Sequence, residues 1–255
     1  MSNPAEAVPR VSVCMATWNG AAFLGEQLRS ILEQLAATDE LVIVDDASSD
    51  GTVDLIRSFG DPRIRLTARS ENRGYVRTFE EALAAARGTY LLLADQDDVW
   101  LPGRVAAMTA ALDTADVVAS NLATLGGPDT LAGPFGRTDW RLRHRDSGRR
   151  LRNVVGILAG ALPYYGCAMG VRRDALGRGL LPFPPFLHES HDLWIALYGN
   201  LVGTMTHLGR RTVARRLHAS NQTPTRPRGV RGALASRLLL LRCIGVLLAR
   251  RVARG

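Results

Sequence analysis

The chain has 255 residues, 46% of them hydrophobic and 22% charged, the composition of one globular domain with or without an appendage. A chain of this length buries roughly three quarters of its unfolded surface and folds without disulfides or a structural metal, so disorder, collagen and small disulfide scaffolds are excluded. The formal net charge of +8 is unevenly placed: no acidic residue follows Asp192, and residues 193–255 carry 12 Arg, whereas residues 1–192 sum to −4. Such a basic end suggests an anionic partner: a diphosphate, a membrane surface or nucleic acid.

Cys14, Cys167 and Cys243 are odd in number and far apart. They match neither a zinc spacing nor a disulfide framework and point to a reducing compartment. The opening MSNPAEAVPR lacks an apolar signal core, and no uninterrupted apolar run reaches about 18–20 residues, so a cytoplasmic protein is expected.

In chain order, VSVCMA (11–16) is a short β-branched run that reads as a buried strand, and Phe23, Leu24, Leu28, Ile31, Leu32 and Leu35 place a helix over 21–37. LVIVD (41–45) is the next strand. A helix over 51–58, a strand over 63–67, a helix over 75–87, the strand YLLLA (90–94), a helix over 102–112 and a strand over 116–120 continue the alternation. This predicts an α/β fold, a doubly wound sheet with helices on both faces. Residues 121–150 turn rich in Gly, Pro and Arg and read as a long mobile loop near the site. The apolar pattern returns over 151–219, and TPTRPRG (223–229) separates a tail. The division expected is 1–222, with halves at about 10–120 and 121–222, followed by a basic amphipathic tail over 223–255.

Ligands of doubly wound sheets bind beyond the carboxyl ends of strands. Thr17, Trp18, Asn19 and Gly20 follow the first strand, Asp45 and Asp46 end the second, and Asp95-Gln96-Asp97-Asp98 ends the fourth. Three carboxylates in four residues repel one another, which calls for a cation, and oxygen ligands suit Mg²⁺ or Mn²⁺. The bland alternative is a turn in which Asp98 caps the helix that follows. Asp45-Asp46 could accept from a base or ribose, Asp50 reads as a helix cap, and Arg73 in Asn72-Arg73-Gly74 could contact base or phosphate.

VSVCMATWNG, VDDASSDGT, ENRG, LLLADQDDVW, YGCAMGVRRDAL, HDLWIAL and RRLHASN occur in this order over about 210 residues. In this set the chain resembles family 2 glycosyltransferases of the GT-A fold, closest to bacterial enzymes that build surface polysaccharides, rhamnosyltransferases among them. The resemblance implies a mostly parallel GT-A sheet and an inverting, metal-dependent transfer from a nucleotide-diphosphate sugar, dTDP-rhamnose or a UDP-hexose, to a saccharide or lipid-linked acceptor. It places Thr17, Asn19, Asp45 and Asp46 in the nucleotide pocket, Asp95 on the ribose side and Asp97 on the metal. Asp192 becomes the catalytic base, and Arg216, His218 and Asn221 lie near the diphosphate. Leu193 stands where an aromatic is usual, and Arg215 replaces another.

The chemistry agrees without the family: displacing a nucleoside diphosphate needs a cation for the leaving phosphates and a carboxylate for the proton of the attacking hydroxyl. Ser190-His191-Asp192 spells a hydrolase triad, but consecutive helical residues point about 100° apart. His188 and His191 lack a third zinc ligand, Asn221-Gln222-Thr223 is an incidental sequon, and neither a P-loop nor a dinucleotide fingerprint occurs. The tail has a dozen-residue apolar core broken by Arg242 and flanked by Arg. It reads as too short to span and suited to lying at the inner face of a membrane; a core or dimer helix is the alternative. Binding of nucleic acid through this basic end is the competing function, and no motif supports it.

Overall fold

The structure, a computed structural model, describes residues 8–127, 133–136, 139–217 and 229–254. Strand β1 (Val11–Thr17) leads into helix α1 (Ala21–Leu32), followed by β2 (Glu40–Asp45), α2 (Thr52–Ser58), β3 (Ile64–Ala68), α3 (Tyr75–Ala85) and β4 (Tyr90–Asp95). The two-residue β5 (Val99–Trp100), α4 (Arg104–Leu112) and β6 (Val117–Leu125) come next. The second half comprises α5 (Arg150–Ala159), β7 (Met169–Arg172), the one-turn α6 (Arg173–Ala175), α7 (His191–Leu201), β8 (Met205–Arg216) and α8 (Val230–Val252).

The strands form one sheet in the order β3-β2-β1-β4-β7-β6-β8-β5. β1 pairs in parallel with β2 and β4, β2 with β3, and β6 with β8, while β7 runs antiparallel between β4 and β6, and β5 antiparallel to β8. The doubly wound α/β expectation is therefore met, with antiparallel strands in the second half. Period-two side-chain alternation splits the strands between two cores. Val42, Val44, Leu91 and Leu93 meet α3, α5, α7 and α8 on one face, and Val13, Met15, Ile43 and Leu92 meet α1, α2 and α4 on the other. β1 sits between β2 and β4, so chain order reverses there, and register sets Thr17 beside Asp45 and Ala16 beside Asp95. Three polar strand ends are thereby brought to one crevice.

Several boundaries differ from the sequence expectation for local reasons. α1 stops at Leu32 rather than residue 37, because Arg63 Nη1 donates to the carbonyls of Leu32 (2.9 Å) and Leu35 (2.7 Å) and satisfies that end. The expected loop over 121–150 begins as strand, since β6 continues to Leu125 beside β8. Its second half is pinned: Asn121 accepts from the Leu142 N–H (2.8 Å) and donates to the carbonyls of Leu142 and Leu208 (3.0 Å each).

The tail departs most from expectation. α8 is a 23-residue helix, and within Arg231–Val252 an 18-residue window reaches a mean hydropathy of 1.8. By length and composition it could span, contrary to the sequence estimate, which counted only the dozen-residue apolar core around Arg242. It is also no free appendage. Leu240, Cys243 and Leu247 are buried against α7 and join the core. Arg250 donates to the carbonyls of Gly179 (2.8 Å) and Pro182 (2.7 Å), and Arg251 to that of Leu201 (2.8 Å).

Candidate active site

A cleft of about 830 Å³ opens over the carboxyl ends of β1, β2 and β4. Thr17, Asn19, Asp46, Asp95, Asp97 and Asp192 all lie on its wall, so six of the sequence-predicted residues converge from four separate segments. Three others do not face it, and each has a definite local reason.

Asp45 is 1% exposed and lies beneath the wall, accepting from Thr17 Oγ1 (2.7 Å), the Ser48 N–H (2.9 Å) and Ser48 Oγ (2.6 Å). It shapes the turn after β2. Its neighbour Asp46 reaches the cleft while accepting from the Arg73 N–H (2.8 Å), the Gly74 N–H (2.8 Å) and Arg69 Nη1 (2.9 Å). The Asn72-Arg73-Gly74 segment thus contributes two backbone N–H groups and the Asn72 side chain, which donates to the Asp46 carbonyl (3.1 Å), while the exposed Arg73 side chain is absent from the wall. Arg69, which sequence reasoning passed over, bridges Asp46 and Glu81. Asp50 accepts from the Thr52 N–H (3.1 Å) at the start of α2, as a cap would, and also from the Ala21 N–H (3.1 Å).

Gln96, between the two aspartates of the DQD segment, forms a two-way clamp: the Trp18 N–H donates to Oε1 (2.8 Å) and Nε2 donates to the Trp18 carbonyl (3.0 Å). A Cβ at Gly20 would fall 2.3 Å from Gln96 Oε1, which explains the glycine of the TWNG run. Asn19, at φ 47°, accepts from the Ser49 N–H (2.8 Å) and ties the same loop to the turn after β2.

Arg216 and Arg215 exchange the places expected of them. Successive strand residues face opposite sides of a sheet. At the end of β8 the Arg216 guanidinium turns away to the Asp97 carbonyl (3.2 Å) and Glu26, over the Phe23 ring at 5.1 Å. Arg215 faces the cleft, its guanidinium 5.0 Å from the Tyr165 ring centroid. His218 and Asn221 lie outside the described residues.

The carboxylates are electrostatically frustrated. Burial, then repulsion from Asp98 and Asp97, raises Asp95 well above the ordinary carboxylate range. Asp98 is pushed up to about 6 by burial and by Asp97. Rather than capping α4, it accepts from the Arg216 N–H (3.1 Å), and its Oδ2 is buried without a hydrogen-bond partner. Ligand atoms of Asp95, Asp98 and Cys167 lie within 4.8 Å of one another. Burial and the two carboxylates also raise the Cys167 thiol, keeping it protonated and unsuited to a hard cation. Excess negative charge, an orphaned carboxylate oxygen and oxygen donors facing the cleft fit Mg²⁺ or Mn²⁺. Beneath the cluster Arg104 is fully buried, donating to Thr212 Oγ1 (2.6 Å) and to the carbonyls of Leu93 (3.1 Å) and Cys167 (2.7 Å), with Trp100 stacked at 4.5 Å. Burial lowers its pKa to about 10, so it stays cationic.

Asp192 opens the first turn of α7, after Ser190 in the left-handed region at φ 63°. Burial raises it to about 6, against the Leu193 N–H and the Arg215 charge, which lower it. His191 beside it stacks on Phe79 at 4.4 Å with neither ring nitrogen hydrogen-bonded, and burial lowers it to about 3. It is a neutral packing group, so no Ser190-His191-Asp192 relay exists.

Among solved structures, TarS of S. aureus in complex with UDP-GlcNAc superposes with a TM-score of 0.68 at 17% identity, covering 96% of this chain and 73% of that one, a likeness of fold. The succinoglycan biosynthesis protein ExoO of Rhizobium meliloti is 37% identical over 116 residues, 45% of this chain. That alignment spans 33% of ExoO, so the chain matches about a third of this relative's length. The Escherichia coli UDP-Glc:alpha-D-GlcNAc-diphosphoundecaprenol beta-1,3-glucosyltransferase WfgD is 32% identical over 196 residues, 73% of this chain and 69% of WfgD. Residues 12–179 match the family model for glycosyl transferase family 2, a span that holds every carboxylate of the cleft except Asp192. With the GT-A type of sheet and the polar strand ends at its switch point, these matches place the chain in glycosyl transferase family 2.

Proposed function

We propose that the protein is an inverting transferase that moves a sugar from a nucleotide-diphosphate sugar, dTDP-rhamnose or a UDP-hexose, to a hydroxyl of a saccharide or lipid-linked acceptor in cell-surface polysaccharide synthesis. The observation that carries this reading is the meeting, in one cleft, of a carboxylate cluster at the β4 end and a separate carboxylate, Asp192, from the start of α7. Thr17, Asn19 and Asp46 line the nucleoside end, and Arg215 supplies a cation for the diphosphate. Asp97, with Asp95, would hold Mg²⁺ or Mn²⁺, which offsets the charge of the departing diphosphate.

Asp192 takes the proton of the acceptor hydroxyl as its oxygen bonds to the anomeric carbon; the bond to the diphosphate oxygen breaks, and the electron pair leaves with the nucleotide. One displacement inverts the carbon, and no covalent enzyme intermediate forms. At neutral pH a base held near 6 is mostly ionised yet close enough to neutrality to accept a proton. We place the enzyme in the cytoplasm, peripheral at the inner face of the membrane.

Thermal-shift screening of nucleotide sugars with and without Mn²⁺ tests the reading. A metal-dependent rise in melting temperature is expected with a dTDP- or UDP-sugar. Salt-sensitive DNA binding with no nucleotide response would favour the nucleic-acid function instead.

A further inference from the structure

We propose that Arg237 binds the phosphate of a lipid-linked acceptor, and that the outer face of α8 rests on the bilayer presenting it. This rests on the transferase reading above and assigns its acceptor class. Arg237 belongs to α8, some twenty residues beyond the last strand, yet it lines the cleft that holds Asp95 and Asp192. Its Nη2 lies 3.0 Å from where a Cβ would stand on Gly160, the left-handed residue closing α5, so the guanidinium fits over a bare backbone position. No acidic partner pairs with it among the described residues.

The helix around it has two faces. Leu240, Cys243 and Leu247 point inward, and the carbonyl contacts of Arg250 and Arg251 fix the helix to the domain. Outward, Leu234, Leu238, Leu241, Leu248 and Val252 are 71%, 61%, 53%, 43% and 80% exposed, spaced so that they form one stripe. Arg237 is three residues from Leu234 and four from Leu241, hence their neighbour on the helix surface. It is the point at which the apolar stripe meets the cleft. A phospholipid-like acceptor whose chain lies in the bilayer under the stripe would bring its phosphate to Arg237 and its sugar into the cleft.

Charge selects this occupant over a second copy. Arg231 and Arg242 are exposed three residues before Leu234 and four after Leu238, beside the stripe, and α8 carries no acid, so antiparallel or parallel pairing of two such faces sets cations against cations, whereas an anionic bilayer meets them with opposite charge.

The test uses the full chain with saturating UDP and Mn²⁺ to fill the donor side, titrated with farnesyl diphosphate or with inorganic diphosphate. Arg237→Gln should weaken farnesyl diphosphate binding about tenfold and Arg237→Lys should recover most of it, as expected when one charge-assisted contact is lost and a cation is restored. Leu238→Glu with Leu241→Glu should abolish flotation with vesicles of about 30% phosphatidylglycerol in phosphatidylcholine while UDP binding persists. Unchanged farnesyl diphosphate binding in Arg237→Gln overturns the proposal, as does equal binding of inorganic diphosphate. Undiminished flotation of the Glu variant, or a dimer lost in that variant without vesicle dependence, also overturns it. Failure of the wild type to bind UDP would instead bring down the donor reading, separately from this one.

Discussion

Asp192→Asn removes one negative charge from the start of α7 and preserves the shape of the side chain. With the carboxyl held at about 6, roughly nine tenths is ionised at pH 7. Because the base works ionised, the wild-type rate should fall about tenfold per pH unit below 6. Loss of a positioned base slows a reaction by ~10²–10⁴, about 2.7–5.5 kcal/mol in the barrier. Initial rates of nucleoside diphosphate release from the donor, taken from pH 5 to 8 beside donor affinity, measure both effects. Donor affinity should hold and turnover should fall, and the residual rate should lack the acid limb near 6. Stability supplies an independent sign. The folded-state pKa lies above the unfolded value, so the ionised carboxyl costs stability above that range, and the variant should melt higher than wild type at pH 7–8, the gap narrowing as pH falls through about 6 and closed below about 4. A variant that transfers within threefold of wild type, or retains the limb, refutes the assignment and moves attention to Glu189.

Asp97→Asn should eliminate the Mn²⁺-dependent part of the thermal shift by a nucleotide sugar while leaving the unliganded melting temperature nearly unchanged, because Asp97 is only partly buried. Leu247→Ala, at a fully buried position of α8, should cost about 2–5 kcal/mol in denaturant unfolding, whereas Leu248→Ala, 43% exposed beside it, should stay within about 0.5 kcal/mol. Glu40 is buried, which alone would raise its pKa, but bonds from Ser12, the Arg87 N–H and Arg65 lower it overall. Its stabilising contribution is therefore present above the unfolded value near 4.3 and lost as pH falls through the depressed one; Glu40→Gln should cost about 1–3 kcal/mol at pH 7, with the difference narrowing below pH 4.

The first half of the fold is legible because β1, β2 and β4 are dense in Val, Ile and Leu and buried on both faces, so composition alone marks them. β8 is not: its twelve residues include four Arg, and its place beside β6 is decided by pairing with a strand some ninety positions earlier. β5 and β7, at two and four residues, fall below what periodicity resolves. The same limit governs the site. Motifs singled out Asp46, Asp95, Asp97 and Asp192, which line one cleft, but facing is a matter of strand parity, and that separated Asp46 from Asp45 and Arg215 from Arg216. Arg237 carries no motif at all. Only the packing of α8 on α7 brings it to the cleft.

Arg104 has a consequence for anyone recombining this enzyme with its relatives. Its guanidinium joins β4, β8 and the turn at Cys167, three segments drawn from both halves of the chain. A crossover near residue 120, between the two halves of the sheet, would leave this cation in one parent and Thr212 in the other. A host offering an apolar side chain at position 212 would strand a buried donor. Chimeras should therefore travel with positions 104 and 212 as a matched pair, and libraries that treat the two halves as interchangeable modules should lose soluble members at this junction first.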